Sequence, residues 1–211
     1  MNTRNTASNK SVWLIGGIAA AIAIAAIIAV ATQSGSDEVV TGIEEFNTVE
    51  VTGEPLPQFS DSATDKAIGM TAPVLTGKGF TGNTIVTTPG APTLLVFLAH
   101  WCPHCQREVP RLVQWNSAGL VPSGLDVIAI TTSTDPASPN FPPSEWLARE
   151  EFPALWPVMT DSGEKTAANA MGVSGFPFFV LLDEQGKVAL RISGEVETEA
   201  LTEQINKALG K

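Results

Sequence analysis

The feature that most constrains this chain is an uninterrupted apolar stretch over residues 93–99 that ends just before a Cys-x-x-Cys pair. Such a run is typical of a central strand that both faces of a sheet cover. Pro103 suits the first turn of a helix, and Val109, Leu112 and Val113 share one side of a helix over 102–117. The sequence therefore predicts a buried strand that leads directly into a helix, with both cysteines at the junction.

The second half of the chain alternates strand and helix patterns. This alternation predicts an α/β domain over 66–211, with a central mixed sheet flanked by helices. The further elements that we predict are a strand at 124–132, helices at 144–152 and 164–171, a strand pair at 178–183 and 187–193, and a last helix at 198–209.

Residues 12–31 form a run of twenty residues without a charge. At about 1.5 Å per residue, a helix of this length spans roughly 30 Å of hydrocarbon. A cleaved signal peptide is the alternative, with a cleavage site at Ala29-Val30-Ala31, although its apolar core is usually only about 7 to 15 residues long. We therefore predict an uncleaved transmembrane signal anchor over 12–31.

Charges on the two sides of this run differ in sign. Arg4 and Lys10 precede it, whereas Asp37 and Glu38 follow it. By the positive-inside rule, residues 1–11 are then a cytoplasmic tail and everything after the run is extracytoplasmic. The predicted location is the cell membrane, with a single pass and the catalytic domain outside.

The segment after the anchor is acidic. Residues 32–65 contain eight acidic residues and no basic ones, and they show little apolar periodicity. This composition predicts an extended linker that gives the domain reach, although a short strand near 45–51 remains an alternative. The formal charge of the whole chain is -10. An acidic surface repels phosphate backbones, so nucleic acid is a poor candidate partner.

Cys102 and Cys105 are the only cysteines in the chain, which leaves redox chemistry or metal binding as their main roles. A cysteine attacks a disulfide as its thiolate, and the positive end of a helix beside Cys102 stabilises that form. Cys105 lies one turn further on, where it can attack a mixed disulfide on Cys102 and release the substrate. The spacing predicts a nucleophile and a resolving cysteine.

The two residues between the cysteines tune this chemistry. Pro103 removes an N–H and stiffens the turn, whereas a protonated His104 stabilises the thiolate and makes the disulfide more oxidising. The alternative is that His104 is an exposed helix residue without effect on sulfur. His100 could join His104 and the two cysteines as a metal ligand, but ligands this close in sequence do not easily close a tetrahedron. We expect no metal site, and we expect His100 to be an exposed loop residue.

A second motif lies far from the cysteines in sequence. Residues 172–177 read Gly-Val-Ser-Gly-Phe-Pro and immediately precede a predicted strand. A cis Phe176-Pro177 bond would explain a proline at this point, since cis bonds occur mostly before proline and mark tight turns. A trans proline at the strand entrance is the alternative.

Taken together, these motifs resemble the thioredoxin superfamily, and within it the membrane-tethered TlpA and ResA branch. The resemblance covers residues 66–211 and includes Gly69-Met-Thr-Ala-Pro73, Trp101-Cys-Pro-His-Cys105, Glu108-Val-Pro110-Arg-Leu112, Asp161, Gly172-Val-Ser-Gly-Phe-Pro177, Leu182-Asp183 and Gly186. It implies that Pro177 is a cis-proline facing both cysteines. It also implies that the backbone of Phe176 pairs with a bound substrate chain.

Two positions depart from the branch. Pro103-His104 resembles the dipeptide of DsbA-type oxidases rather than that of the reductive tethered members. Val96 occupies the strand position where thioredoxin has a buried acid, so a proton acceptor for Cys105 must come from elsewhere or be water. Glu108 is a candidate, although we expect a solvated carboxylate on the helix.

These observations predict an extracytoplasmic thiol–disulfide oxidoreductase that oxidises exported proteins. The predicted catalytic residues are Cys102, Cys105 and His104, and the predicted substrate-binding residues are Trp101, Pro103, Phe176 and Pro177. The only cofactor expected is the redox-active Cys102–Cys105 disulfide. The expected partners are exported protein thiols or disulfides, a membrane redox protein that recycles the site, and the membrane itself through the anchor.

Three other functions remain open at this point. The first is a reductase of the TlpA and ResA type that serves cytochrome c maturation. The second is a copper-handling module with a thioredoxin-like fold. The third is a peroxidase of the peroxiredoxin type, whose site usually lacks a Cys-Pro-His-Cys motif.

Overall fold

The computed structural model describes residues 42–211, so the predicted tail at 1–11, the anchor at 12–31 and the start of the linker lie outside the described part. Within this part, strands and helices alternate after an initial antiparallel region. In chain order the elements are β1 Glu50–Thr52, β2 Val74–Lys78, β3 Thr84–Val86, β4 Thr93–Leu98, α1 Pro103–Ser117, β5 Asp126–Thr131, α2 Pro143–Arg149, β6 Val158–Thr160, α3 Thr166–Ala170, β7 Phe178–Leu182, β8 Val188–Ser193 and α4 Thr198–Ala208. None of these helices combines the length and the apolar sequence that crossing a bilayer requires.

The main sheet is mixed and has β4 at its centre. Its strand order is β6-β5-β4-β7-β8. Strand β4 runs parallel to β5, with Thr93 opposite Asp126, and antiparallel to β7, with Phe97 opposite Phe178. The predicted α/β architecture with a central mixed sheet flanked by helices is therefore confirmed.

Side chains of β4 alternate between two apolar layers. Leu95 and Phe97 pack on the side of the small β1-β2-β3 sheet and of α3. Leu94, Val96 and Leu98 pack on the other side, among residues of α1, α2 and α4. Because the side chains of a strand point alternately to opposite faces, a fully apolar strand implies cover on both sides. The sheet thus forms the middle of three layers and holds the end of β4 rigidly.

The predicted linker over 32–65 is wrong for residues 44–65, because these residues pack on the domain. Strand β1 pairs antiparallel with β2. Leu56 is buried, and its N–H donates to the carbonyl of Ala170 at 2.9 Å. The N–H of Phe59 donates to the carbonyl of Gly172 at 2.8 Å. This stretch has no apolar periodicity, so its attachment depends on backbone hydrogen bonds and isolated side chains.

A buried ion pair fastens the end of this segment to β8. The guanidinium of Arg191 donates to both carboxylate oxygens of Asp65, and both side chains are almost fully inaccessible to solvent. Nη1 of Arg191 also donates to the carbonyls of Pro57 at 2.9 Å and Met171 at 3.0 Å. Burial alone would raise the pKa of Asp65, but hydrogen bonds from Arg191 and from the Ala67 N–H lower it. The pair therefore stays ionised inside the domain.

Several predicted boundaries shift for identifiable reasons. Helix α2 ends at Arg149 rather than at residue 152, since Glu151 adopts a left-handed conformation with φ of 54°. Helix α3 cannot begin at residue 164, because Lys165 has φ of 61°. The sequence reasoning did not find β2, β3 or β6, and the last two are only three residues long.

Removing one partner of the Asp65–Arg191 pair should destabilise the fold strongly. In Arg191→Met, Asp65 is left as an uncompensated buried charge, which costs about 3 to 5 kcal/mol of unfolding free energy. Urea unfolding followed by Trp fluorescence measures this loss. The matched control is Arg149→Met, since Arg149 is more than half exposed and should contribute less than about 1 kcal/mol. Equal losses in the two variants would show that the pair does not fasten the segment.

Candidate active site

The site lies where β4 ends and α1 begins. Cys102 is the N-cap residue of α1 and Pro103 is its first helical residue, as the sequence predicted. The N–H of Cys102 donates to the carbonyl of Ala99 at 3.0 Å, which closes a tight turn between strand and helix. Because the first N–H groups of a helix lack partners within it, the sulfur of Cys102 lies beside positive partial charges.

The two cysteines are free thiols in different surroundings. Cys102 is 7% exposed, whereas Cys105 is fully buried. Burial raises the pKa of Cys105 far above its usual range, against a hydrogen bond that the Ala99 N–H donates to its Sγ at 3.4 Å. The proximity of Cys102 raises that pKa further. An incoming disulfide can therefore reach Cys102. Cys105 lies behind Cys102 as a protonated thiol.

The predicted second motif lies directly beside Cys102. The Phe176–Pro177 peptide bond is cis, which confirms that prediction. The thiol of Cys102 lies 3.6 Å from the carbonyl oxygen of Phe176, which is close enough for an S–H···O contact. The structure thus brings together the nucleophile and the proline turn, which are 74 residues apart in sequence.

Trp101 and Phe176 line the opening above Cys102. Trp101 is 36% exposed, and its indole N–H donates to the carbonyl of Ser133 at 2.7 Å. Its ring meets the ring of Phe176 edge to face, with 6.2 Å between the centroids. Amphipathic rings fixed in this way form a suitable apolar wall for a polypeptide.

His104 lies at the surface on the first turn of α1, with 60% of its side chain exposed. Its Nδ1 is 2.7 Å from Oε1 of Glu195 and 2.8 Å from Nη2 of Arg107. These contacts join the ring to a charged cluster rather than to either sulfur. An influence of His104 on Cys102 would therefore act through its charge, and the residue that it binds, Glu195, was not found by sequence reasoning.

The expectation that His100 is an exposed loop residue is wrong. The ring is buried, and its Nδ1 lies 2.7 Å from the carbonyl oxygen of Pro139. Its Nε2 accepts the N–H of Asp135 at 3.1 Å, so the ring proton belongs on Nδ1. Both ring nitrogens are occupied in holding the loop after β5. Within residues 42–211, no group of three or more His, Cys, Asp or Glu side chains is arranged to hold a metal ion.

Glu108 differs most from expectation, because it is buried rather than solvated. Its Oε2 accepts the N–H of Val196 at 3.2 Å, whereas its Oε1 has no hydrogen-bond partner within the described residues. Burial raises the pKa of Glu108 to about 7, against the lowering effects of the Val196 N–H and of Arg111. The sequence carried a signal for this burial, since Glu108 shares the helix face of Cys105 and Leu112.

A carboxyl group with this pKa suits proton exchange with Cys105. Glu108 follows Cys105 by one helical turn, and its charge contributes to the raised pKa of the Cys105 thiol. Catalytic acids and bases work best when their pKa lies near the operating pH. Val96 is apolar and fully buried in β4, so Glu108 is the candidate proton acceptor for Cys105.

Comparison with known proteins decides the family. A family model described as Redoxin matches residues 52–209. The chain belongs to the Redoxin family. Among curated relatives, the thiol:disulfide interchange protein DsbE of Pseudomonas aeruginosa is 28% identical over 154 residues, which are 72% of each protein. The thiol-disulfide oxidoreductase ResA of Bacillus anthracis is 30% identical over 123 residues, which are 56% of this chain and 64% of ResA.

Solved structures of the Redoxin relatives have the same fold. The crystal structure of a thiol:disulfide interchange protein DsbE from Chlorobium tepidum superimposes with a TM-score of 0.56 at 30% identity. The match covers 68% of this chain and 98% of that chain. The chain is therefore an enzyme with a thioredoxin-like fold, a thiol–disulfide oxidoreductase of the DsbE and ResA type.

The proton on Glu108 makes stability depend on pH. The pKa of Glu108 rises from 4.5 to about 7 on folding, so the folded chain binds a proton in this window that the unfolded chain releases. Unfolding free energy should therefore fall as pH rises from about 4.5 to 7, by about 3 kcal/mol in total from this group. Glu108→Gln should remove that fall, as urea unfolding at several pH values would show. Parallel pH profiles for the two proteins would contradict a buried, protonated Glu108.

Proposed function

We propose that this chain is a membrane-tethered, extracytoplasmic oxidoreductase that introduces disulfides into exported proteins through Cys102 and Cys105. The observation that carries the proposal is the placement of the sulfurs. Cys102 lies at the start of α1 beside the Phe176 carbonyl, and Cys105 is buried behind it. The Cys102–Cys105 disulfide carries the electrons itself, and the proposal requires no metal or organic cofactor.

The reaction transfers two electrons in two exchanges. A substrate thiolate attacks Sγ of Cys102 in the oxidised enzyme, forms a mixed disulfide and displaces the sulfur of Cys105. Cys105 then takes the proton of Glu108, because burial makes its thiolate unfavourable. A second substrate thiolate attacks the substrate sulfur of the mixed disulfide, breaks its S–S bond and releases Cys102 as a thiolate. The products are an oxidised substrate and an enzyme in which both cysteines are reduced.

The groove beside Cys102 suits an extended polypeptide. The carbonyl of Phe176 lies next to Sγ of Cys102, so the Phe176 backbone is available to pair with a substrate strand. Trp101 and the Phe176 ring offer an apolar wall, while Pro103 and Pro177 hold the backbone turns on either side of Cys102. These contacts are to backbone and apolar surface, which favours substrates of varied sequence.

The oxidising direction depends on how strongly the reduced form is stabilised. The positive end of α1 lies beside the sulfur of Cys102, and a positive charge on His104 would add to its field. A stabilised dithiol makes the disulfide a stronger oxidant. The second candidate is reductive exchange that serves cytochrome c maturation, as in the TlpA and ResA branch. Its support is the similarity of this chain to the thiol-disulfide oxidoreductase ResA.

The location follows from the sequence. The uncharged run at 12–31, with basic residues before it and acidic ones after it, supports a single-pass anchor with the catalytic domain outside the cytoplasm. A membrane redox protein then recharges the site after each turnover. A membrane-impermeant maleimide should label Cys102 in intact cells after mild reduction. Labelling that appears only after lysis would contradict this placement.

The direction can be tested with the oxidised 211-residue chain in detergent. Mixed with reduced, unfolded ribonuclease A and excess oxidised glutathione, it should accelerate the return of ribonuclease activity. Cys102→Ser should abolish this acceleration, because the remaining thiol, Cys105, is fully buried and out of reach of a substrate. The matched control is Ser117→Ala at the far end of α1. Rapid reduction of insulin by the dithiol form, without acceleration of ribonuclease oxidation, would reverse the proposed direction.

A further inference from the structure

The turn between β8 and α4 touches three parts of the active site at once. The N–H of Gly194 donates to the carbonyl of Pro177 at 2.9 Å. The N–H of Val196 donates to the buried carboxyl of Glu108 at 3.2 Å. Between them, the side chain of Glu195 reaches the imidazole of His104. The proline turn, the buried acid and the residue between the cysteines are thus held by one short segment.

Glu195 is a strongly held anion. Its carboxylate accepts hydrogen bonds from Nε and Nη2 of Arg107 and, at 2.8 Å, from Nη1 of Arg111. Hydrogen bonds from Arg107 and His104 lower the pKa of Glu195 to about 2. Only 20% of the side chain is exposed, so its orientation is fixed by these partners. Glu195 therefore stays charged wherever the enzyme works.

Nδ1 of His104 has two neighbours that require opposite hydrogen-bonding states of this nitrogen. Oε1 of Glu195, at 2.7 Å, requires a proton on Nδ1, whereas Nη2 of Arg107, at 2.8 Å, requires a lone pair there. A single nitrogen cannot satisfy both. With a proton on Nδ1, the ring becomes a cation as soon as Nε2 also takes one. With a hydrogen bond accepted from Arg107, the ring is neutral. Glu195 therefore favours a His104 ring with a proton on Nδ1, and Arg107 favours a ring without one.

We propose that Glu195 is the positioning residue that makes the Cys102–Cys105 disulfide more oxidising, by keeping Nδ1 of His104 protonated against the competing Arg107. This inference rests on the proposed function and adds the group that sets the potential of the same site. Glu195 acts through His104 and does not touch the reacting sulfurs. Its own negative charge is balanced by Arg107 and Arg111. Its effect on Cys102 is therefore exerted through the charge of His104.

The effect of Glu195 on the Cys102–Cys105 disulfide can be expressed as a change in the exchange equilibrium with glutathione. Two molecules of reduced glutathione and the enzyme disulfide give oxidised glutathione and the enzyme dithiol, whose Cys102 proton is released when the thiolate forms. An imidazolium at His104 stabilises that thiolate and shifts the equilibrium toward the dithiol. Without Glu195, Arg107 donates to Nδ1, the ring becomes neutral, and the equilibrium shifts back toward the disulfide.

The test is the equilibrium constant of this exchange for the 211-residue chain in detergent, measured at pH 7 from the fraction of alkylated thiols. Glu195→Gln should lower the constant by about tenfold, which corresponds to about 30 mV. The matched control is Glu197→Gln. Glu197 also binds Arg111, at 3.0 Å, but it is 71% exposed and its contacts do not include His104. The control should leave the constant unchanged.

A double-mutant cycle separates positioning from a structural role. In a His104→Ala background, Glu195→Gln should have no further effect on the constant. An equal tenfold loss in that background, a rise in the constant, or the same loss in Glu197→Gln would overturn the inference. Urea unfolding checks that every variant is folded. Because the cycle compares variants, it decides the role of Glu195 whether the parent enzyme proves oxidising or reducing.

Discussion

The active site depends on the position of β4 in the middle of the sheet. Hydrogen bonds to β5 on one side and β7 on the other hold this strand, and its apolar side chains pack on both faces. The end of such a strand cannot move without disturbing the whole core. Because Cys102 follows the end of β4 and Pro177 precedes β7, the pairing of these strands brings the sulfur to the proline turn. The site geometry therefore follows from the sheet.

The sulfurs of Cys102 and Cys105 differ in burial, and this difference gives them different roles. Cys102 can be reached from solvent, whereas Cys105 is fully buried, and burial keeps the Cys105 thiol protonated. Glu108 lies on the same helix face, and burial raises the pKa of its carboxyl group to about 7. The N–H of Val196 donates a hydrogen bond to Glu108, and Val196 directly follows Glu195. The same turn therefore contacts both the buried acid and the cluster around Glu195.

The sequence predicted the parts of the site that are local. The strand at 93–99, the helix after it and the position of both cysteines at their junction follow from a continuous apolar run and from spacing within one turn. The approach of Pro177 to the cysteines was implied by the resemblance to the thioredoxin superfamily, but other contacts distant in sequence were not visible. Asp65 meets Arg191 across 126 residues, and His104 meets Glu195 across 91 residues. Glu195 and Arg191 read as ordinary surface charges, because nothing beside them in sequence shows what they face.

The burial of Glu108 was partly visible, since it shares a helix face with Cys105 and Leu112. Carboxylates generally prefer solvent, and this preference argued against the burial of Glu108. In the fold, Glu108 is nevertheless buried. In the same way, the composition of residues 32–65 predicted a linker. Backbone hydrogen bonds and one buried ion pair attach residues 44–65 to the domain instead.

The reduction potential of the Cys102–Cys105 pair tests the central claim most directly. It can be obtained by equilibrating the 211-residue chain in glutathione buffers at pH 7 and counting alkylated thiols. A value near about -120 mV, at the strongly oxidising end of the known range, is the result that an enzyme donating disulfides to exported proteins requires. A value near or below about -270 mV, as in thioredoxin, would contradict the account and make the enzyme a reductase.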